Sequence, residues 1–119
     1  FRLDAVRCFH IVVKHAGSRN PTSWRAPNVR ISRSLEEAYR RIRDLRQQLL
    51  AAPNKRAAFE RLARLHSDCS SAKRGGDLGV FKRGKMAAAF ELAAFNLDVG
   101  ELSKVVATSS GVHVILRVA

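Results

Sequence analysis

Two short apolar runs in the chain predict buried strands. Residues 6–14 and 112–118 are rich in β-branched and other apolar side chains with few polar interruptions, a pattern typical of strands in a sheet interior. The first run is followed, over residues 17–27, by a segment rich in Gly, Ser, Asn and Pro, which predicts a loop. The two runs are the best candidates for the centre of a sheet.

Helical spacing of apolar positions predicts two amphipathic helices after the loop. Ser34 and Glu37 have the spacing of a capping box, so the first helix is expected over about 35–52. Asn54 is a suitable cap for a second helix. The apolar positions that repeat with the helical period are Leu35, Ala38, Tyr39, Ile42, Leu45 and Leu49 in the first helix, and Phe59, Leu62, Ala63 and Leu65 in the second.

The pattern changes again in the second half of the chain. Residues 67–79 are small and turn-forming, so they predict a structured loop that leads into a short strand at 78–82. An alanine-rich helix is expected over 86–95, and a short extended piece begins at Gly100. This order of strands and helices predicts an α+β domain, with the two apolar runs as central neighbours in a mixed or antiparallel sheet.

Composition favours one soluble domain in a reducing compartment. The chain has 119 residues, of which 46% are hydrophobic, and this is enough for a single core. We expect no membrane partner, because no apolar run reaches the roughly 18 residues needed to cross a bilayer. Cys8 and Cys69 are too far apart for a metal or redox pair, and this favours the cytosol or nucleus. Cys8 is expected in the core.

A net charge of +12 should attract anions from a distance. The candidates are nucleic acid, a membrane surface, and an acidic or phosphorylated protein. Many of the arginines fall at regular helical positions, as expected for a solvated helix face. Aromatic residues make up only 7% of the chain and are not interleaved with basic residues. Nucleic-acid binding is therefore expected at most as a weak, non-specific activity.

Four ordered segments resemble a known family. They are CFHIVVKH at 8–15, SDCSSAKRGGDLG at 67–79, FKRGKMAAAFE at 81–91 and SGVHVILR at 110–117. Together they resemble the parvulin-type peptidyl-prolyl cis/trans isomerases over nearly the whole chain. The long first loop is most similar to that of the subfamily directed at phosphoserine- or phosphothreonine-proline. The WW module of the animal and fungal members is not found in these residues.

The resemblance implies a fold and a set of partners. The expected fold is α+β, a parvulin-like four-stranded antiparallel sheet surrounded by about four helices. One isomerase domain would span residues 1–119, with a tail at 1–5 and a phosphate-binding loop at 15–34. The implied partners are phosphorylated Ser/Thr-Pro proteins or peptides. The resemblance implies no cofactor and a monomeric state.

The resemblance also implies two binding pockets. The expected proline pocket consists of Leu78, Met86 and Phe90. The expected phosphate-binding residues are Lys14 and Arg19, followed by Asn20 where the subfamily usually has a second arginine. This departure should weaken the phosphate pocket by one charge. Trp24 is expected to attach the loop to the body of the domain.

Five further residues are implied to form the catalytic centre. In the resembled family two histidines, here His10 and His113, pack together at the sheet centre and are linked to a threonine, here Thr108, and to a cysteine, here Cys69. Ser110 is a further candidate hydrogen-bond partner. We expect the histidines to orient the site rather than transfer protons. Isomerisation has no covalent intermediate, so Cys69 is expected to influence the field near the carbonyl instead of acting as a nucleophile.

Two other functions remain open from the sequence. The first is a phosphopeptide-binding module that uses the same loop without accelerating rotation. The second is a nucleic-acid-binding protein, which the charge permits. The four histidines do not have the spacing of a metal site such as HExxH.

Overall fold

The computed structural model describes residues 5–119. Residues 1–4 of the predicted tail lie outside the described residues, and Ala5 already belongs to the first strand. The elements, in chain order, are strands β1 (Ala5–Val13), β2 (Thr22–Ser23) and β3 (Ala26–Arg30), helices α1 (Leu35–Ala51) and α2 (Lys55–His66), a 3₁₀ helix (Ser70–Arg74), strand β4 (Asp77–Lys82), helix α3 (Ala88–Phe95), and strands β5 (Val106–Thr108) and β6 (Gly111–Arg117).

The main sheet has four antiparallel strands in the order β4-β1-β6-β5. The two apolar runs identified in the sequence are β1 and β6, and they are central neighbours, as predicted. Within residues 5–119 the sheet is surrounded by three α-helices and one 3₁₀ helix. The predicted four-stranded α+β fold is therefore confirmed. In the same range, no helix is long and apolar enough to span a bilayer.

Helices α1 and α2 cover one face of the sheet. The α1 helix begins at the predicted capping box, in which the Glu37 N–H donates to Ser34 Oγ and the Ser34 N–H donates to Glu37 Oε1. Asn54 caps α2 by accepting from the Ala57 N–H. Both helices pack their buried stripes against β1 and β6 to form the larger core cluster.

Two of the expected inner positions are exposed. Leu35 is 48% exposed because it is the first residue of α1. Leu65 is 60% exposed. It lies six residues after the buried Phe59, and at 3.6 residues per turn that spacing puts it on the outer side of the helix. The position that completes the buried stripe of α2 is Ala58.

Alternation along the central strands decides which residues reach the site. In β1, Phe9 and Ile11 point to the α1/α2 core, whereas Cys8 points to the opposite face, where the smaller core cluster packs around α3. With a side-chain period of two, His10 shares the face of Cys8. The same period puts His113 of β6 on that face. Cys8 is fully buried there, and burial raises its pKa to about 11, so it contributes to packing.

The first loop contains a short hairpin that the sequence did not predict. Strands β2 and β3 pair with an irregular register and have no apolar alternation to identify them. In the second predicted loop, Gly76 has φ +89°, and a Cβ there would lie 2.6 Å from the His10 carbonyl oxygen. Only glycine permits this close approach of the loop to β1.

Candidate active site

Two buried histidines lie at the centre of the sheet, on the face away from α1 and α2. The Nδ1 atoms of His10 and His113 are 3.1 Å apart, so one ring donates a hydrogen bond to the other. The rings are stacked, with centroids 5.3 Å apart. Within residues 5–119, the buried Nε2 atom of His10 has no hydrogen-bond partner.

Both imidazoles are held in the neutral form. Burial lowers the pKa of His10 to about 4. Burial, and to a smaller extent the charge of His10, lowers the pKa of His113 to about 3. At pH 7 neither ring carries a charge, so the pair acts as a polar, hydrogen-bonded support and not as a cationic site.

The turn between β5 and β6 orients His113. The Thr108 hydroxyl lies 2.7 Å from His113 Nε2, and Thr108 Oγ1 accepts from the Ser110 N–H at 3.1 Å. The predicted link between the histidine pair and Thr108 is thus present as a hydrogen bond. Ser110 takes part through its backbone N–H.

The predicted proline-pocket residues meet beside the histidines. Phe90 packs edge-on against His10 and His113, with ring centroids 5.6 and 5.2 Å apart. Leu78 and Met86 are partly buried against the same apolar cluster. The histidines therefore hold Phe90 in place, and the three apolar side chains form one wall.

A cavity of about 530 Å³ opens over this wall. It is lined by every residue assigned to the site from the sequence except Arg19. The lining residues are His10, Val12, Lys14, Asn20, Thr22, Ser23, Trp24, Pro27, Asp68, Cys69, Ser70, Leu78, Met86, Ala87, Phe90, Thr108, Ser110 and His113.

Asp68 fastens the start of the first loop to the body of the domain. Its buried carboxylate accepts from the Lys14 N–H at 2.9 Å and from Arg33 Nη1 at 3.0 Å. Arg33 also donates to the Lys14 carbonyl at 2.8 Å. The Lys14 ammonium donates to the Thr22 carbonyl at 2.8 Å. These bonds hold Lys14 and Arg33, which lie near the two ends of the first loop, against the body of the domain.

Trp24 and Arg25 form a second attachment. The Trp24 indole N–H donates to the Ser67 carbonyl at 3.0 Å, which is the tie to the body expected from the sequence. Arg25 lies over the indole ring at 4.6 Å, and it donates to the carbonyls of Ala63 and Arg64 in the last turn of α2. A cation at the negative end of a helix is favourably placed.

Known proteins share this sequence and fold. Residues 10–119 match the family model of the PPIC-type PPIASE domain, or Rotamase. Over 116 residues the chain is 53% identical to the peptidyl-prolyl cis-trans isomerase dodo of Drosophila melanogaster, covering 98% of this chain and 67% of that protein. It is 49% identical to the isomerase Pin1 of Digitalis lanata, covering 96% of each. The structure of the isomerase ESS1 from Candida albicans has a TM-score of 0.90 at 42% identity, over 98% of this chain and 63% of that chain.

The chain belongs to the PPIC-type peptidyl-prolyl isomerase family. It is a peptidyl-prolyl cis/trans isomerase, a rotamase of the parvulin type with Pin1 and ESS1 relatives. The resemblance found in the four sequence segments is confirmed.

In this isomerase Cys69 lies at the cavity wall, immediately before the 3₁₀ helix. Its thiol is half-buried and makes no hydrogen bond to any other residue in the range 5–119. The implied link from the histidines to this cysteine is therefore not a hydrogen bond in this structure.

The loop residues assigned to phosphate binding are placed differently from one another. Lys14 and Asn20 line the isomerase cavity. Arg19 is exposed outside the cavity lining, and its backbone N–H donates to the Ser109 carbonyl at 2.8 Å. This bond ties the loop to the β5–β6 turn.

Asp68 and Thr22 are the important site residues that the sequence analysis missed. Asp68 is part of a turn-forming segment, and nothing local distinguishes it from a solvated turn aspartate. Thr22 lines the cavity and its carbonyl accepts from the Lys14 ammonium, and neither contact leaves a local signal in the sequence. Of the described residues, no group of three or more His, Cys, Asp and Glu side chains is arranged to hold a metal ion.

Proposed function

We propose that this isomerase acts on the bond before proline in phospho-Ser-Pro and phospho-Thr-Pro segments, by stabilising the twisted amide without covalent chemistry. The observation that carries the proposal is the shared cavity, which joins an apolar wall to a cationic loop. The phosphorylated partners follow from the similarity to Pin1 and ESS1 proteins.

The chemistry required is the rotation of an amide. Resonance gives this bond a barrier of about 18–20 kcal/mol. The enzyme lowers the barrier by binding the rotated amide more tightly than either planar isomer. In the rotated state the nitrogen lone pair is no longer delocalised onto the oxygen, so an apolar environment around the bond favours it.

The apolar wall is suited to hold the proline ring. Leu78, Met86 and Phe90 offer carbon surface, and the neutral histidine pair behind Phe90 keeps that ring fixed. In this proposal His10 and His113 position the pocket and take no proton from the substrate. Cys69, at the cavity wall, faces the region of the substrate carbonyl and modulates its polarity.

The cationic loop is suited to hold the phosphate of the preceding residue. Lys14 lies at the cavity, and Asp68 and Thr22 hold its backbone and its ammonium. A charge-assisted hydrogen bond contributes about 1.5–3 kcal/mol, which corresponds to a preference of about 10- to 150-fold for the phosphorylated peptide.

Steady-state isomerisation of paired peptides tests the proposal. Lys14→Met should lower kcat/KM for a phospho-Ser-Pro peptide by about ten-fold or more and leave an Ala-Pro peptide within about two-fold. The exposed Lys104, replaced in the same way, is the matched control. Equal losses on both peptides would overturn the assignment of Lys14 to the phosphate.

The other functions suggested by the sequence give different results in this assay. A phosphopeptide-binding module would bind the peptide without changing the rate of isomerisation. Binding to nucleic acid through the exposed arginines of α1 and α2 would fade steeply with salt, whereas turnover of a neutral peptide would not. We propose that such binding is a weak side activity of a monomeric enzyme.

A further inference from the structure

Some of the positively charged side chains in the first loop take no part in attaching the loop to the domain. Residues 14–34 contain five Lys and Arg and no Asp or Glu. Arg25 and Arg33 are committed to fastening the loop, through α2 carbonyls and Asp68 respectively. Among the described residues, the side chains of Arg19 and Arg30 make no hydrogen bond, and both are exposed.

The hairpin register brings Arg30 beside a cavity residue. Arg30 of β3 lies opposite Thr22 of β2, and the Ile31 N–H donates to the Pro21 carbonyl at 2.7 Å. In an antiparallel ladder, a bond between these flanking residues marks Thr22 and Arg30 as a non-hydrogen-bonded pair. The side chains of such a pair project from the same face and lie close together.

Thr22 connects this pair to the proposed phosphate pocket. Its carbonyl accepts from the Lys14 ammonium at 2.8 Å, and its hydroxyl donates to Asn20 Oδ1 at 3.0 Å. Lys14, Asn20 and Thr22 all line the cavity. The Arg30 side chain therefore projects from the hairpin on the same face as the Thr22 hydroxyl, to which Asn20 is bonded.

We propose that Arg30 is a phosphate-binding residue of this isomerase, supplying from the hairpin a cation that Asn20 does not provide. This inference rests on the proposed function, because it names a further residue of the same substrate site. A guanidinium donates in a planar fork that matches two phosphate oxygens, and its charge is permanent. Lys14 and Arg30 then approach the phosphate from the two sides of Thr22.

The test compares two exposed arginines. Arg30→Gln should lower kcat/KM for a phospho-Ser-Pro peptide by about five- to ten-fold, mainly through KM, and leave the unphosphorylated peptide within about two-fold. Arg61→Gln, on the exposed side of α2, is the matched control and should change neither value. Adding Asn20→Arg to the Arg30→Gln variant should recover most of the loss, because it restores a cation at the same pocket.

Each result that differs from these expectations identifies which proposal is wrong. If the unaltered chain shows no preference for the phosphorylated peptide, the proposed function fails. If that preference exists and Lys14→Met removes it, but Arg30→Gln leaves it unchanged, the inference about Arg30 is wrong and the proposed function stands. If Arg30→Gln lowers both peptides equally, Arg30 supports the hairpin instead of the phosphate, which also overturns the inference.

Discussion

His10 and His113 are the residues whose chemistry depends most on their surroundings. Each lies on a central strand, on the face opposite α1 and α2, and burial lowers the pKa of both. Placement in apolar strands favours packing, and only the family resemblance suggested from sequence that they are paired. In the structure the histidines do both: the rings are buried as packing residues, and as a pair they support Phe90.

The lowered pKa values predict that the protein loses stability in mild acid. An unfolded histidine has a pKa near 6.5, so between pH 6.5 and about 4 the unfolded state binds more protons than the folded state. The contribution of the two neutral rings to the free energy of unfolding is therefore fully present above about pH 6.5 and decreases as the pH falls. From pH 7 to pH 5 the expected loss is about 2 kcal/mol for each ring, at 1.36 kcal/mol per pKa unit.

Urea unfolding at pH 7 and pH 5 measures this loss. His10→Leu removes one of the two buried rings and should reduce the pH dependence by about half. A free energy of unfolding that is equal at the two pH values would contradict the buried, neutral pair.

The chemical character of the Cys69 side chain should influence the rate of isomerisation. A negative or polarisable group beside the carbonyl is expected to matter more than the thiol itself. Cys69→Asp should therefore retain substantial kcat/KM, whereas Cys69→Ala should lose about ten-fold or more. The measurement is isomerisation of the phosphopeptide, with Cys8→Ala as the control for loss of a cysteine outside the cavity. Equal losses in the two Cys69 variants would refute this role.

Among the elements, the first loop is held in place by a few individual hydrogen bonds. Asp68 joins Lys14 and Arg33, and its carboxylate is almost fully buried. Asp68→Asn should lower the free energy of unfolding by about 1–3 kcal/mol, because Arg33 loses its charged partner. It should also raise KM for the phosphopeptide, since the loop that carries Lys14 loosens.

The same substitution at an exposed aspartate on α1 is the control, because it removes a carboxylate charge without removing a buried ion pair. Asp44 is exposed, and within residues 5–119 its carboxylate accepts only from Gln48, one turn along the helix. Asp44→Asn should leave both stability and KM nearly unchanged. If Asp68→Asn behaves like the Asp44 variant, the loop is held by Trp24 and Arg25 and not by the carboxylate.

The elements differ in how well the sequence predicts them. Strands β1 and β6 and helices α1 and α2 are recognisable because their periodicity comes from a buried face. Strands β2 and β3 have no such face, and their pairing depends on backbone bonds that leave no periodic signal. The role of Asp68 was hidden for a related reason, since its partners are 54 and 35 residues away.

For the whole molecule, the two faces of the sheet have different roles. One face packs against α1 and α2, and the other carries the cavity, the histidine pair and the cationic loop. Net charge alone did not distinguish between several classes of anionic partner. Its meaning becomes specific at the cavity, where Lys14, from a loop with five Lys and Arg and no Asp or Glu, lies beside a pocket that suits proline. The fold and most of the residues that line the cavity were predictable through the family resemblance, whereas the partners of Lys14 required the structure.

The most direct measurement is NMR exchange spectroscopy on a phospho-Ser-Pro peptide and its unphosphorylated counterpart, with and without a catalytic amount of this protein. We predict that the protein accelerates exchange between the cis and trans forms, with a rate about ten-fold or more higher for the phosphopeptide. Chemical-shift changes that report binding without accelerated exchange would contradict isomerase activity on this bond and leave a phosphopeptide-binding module.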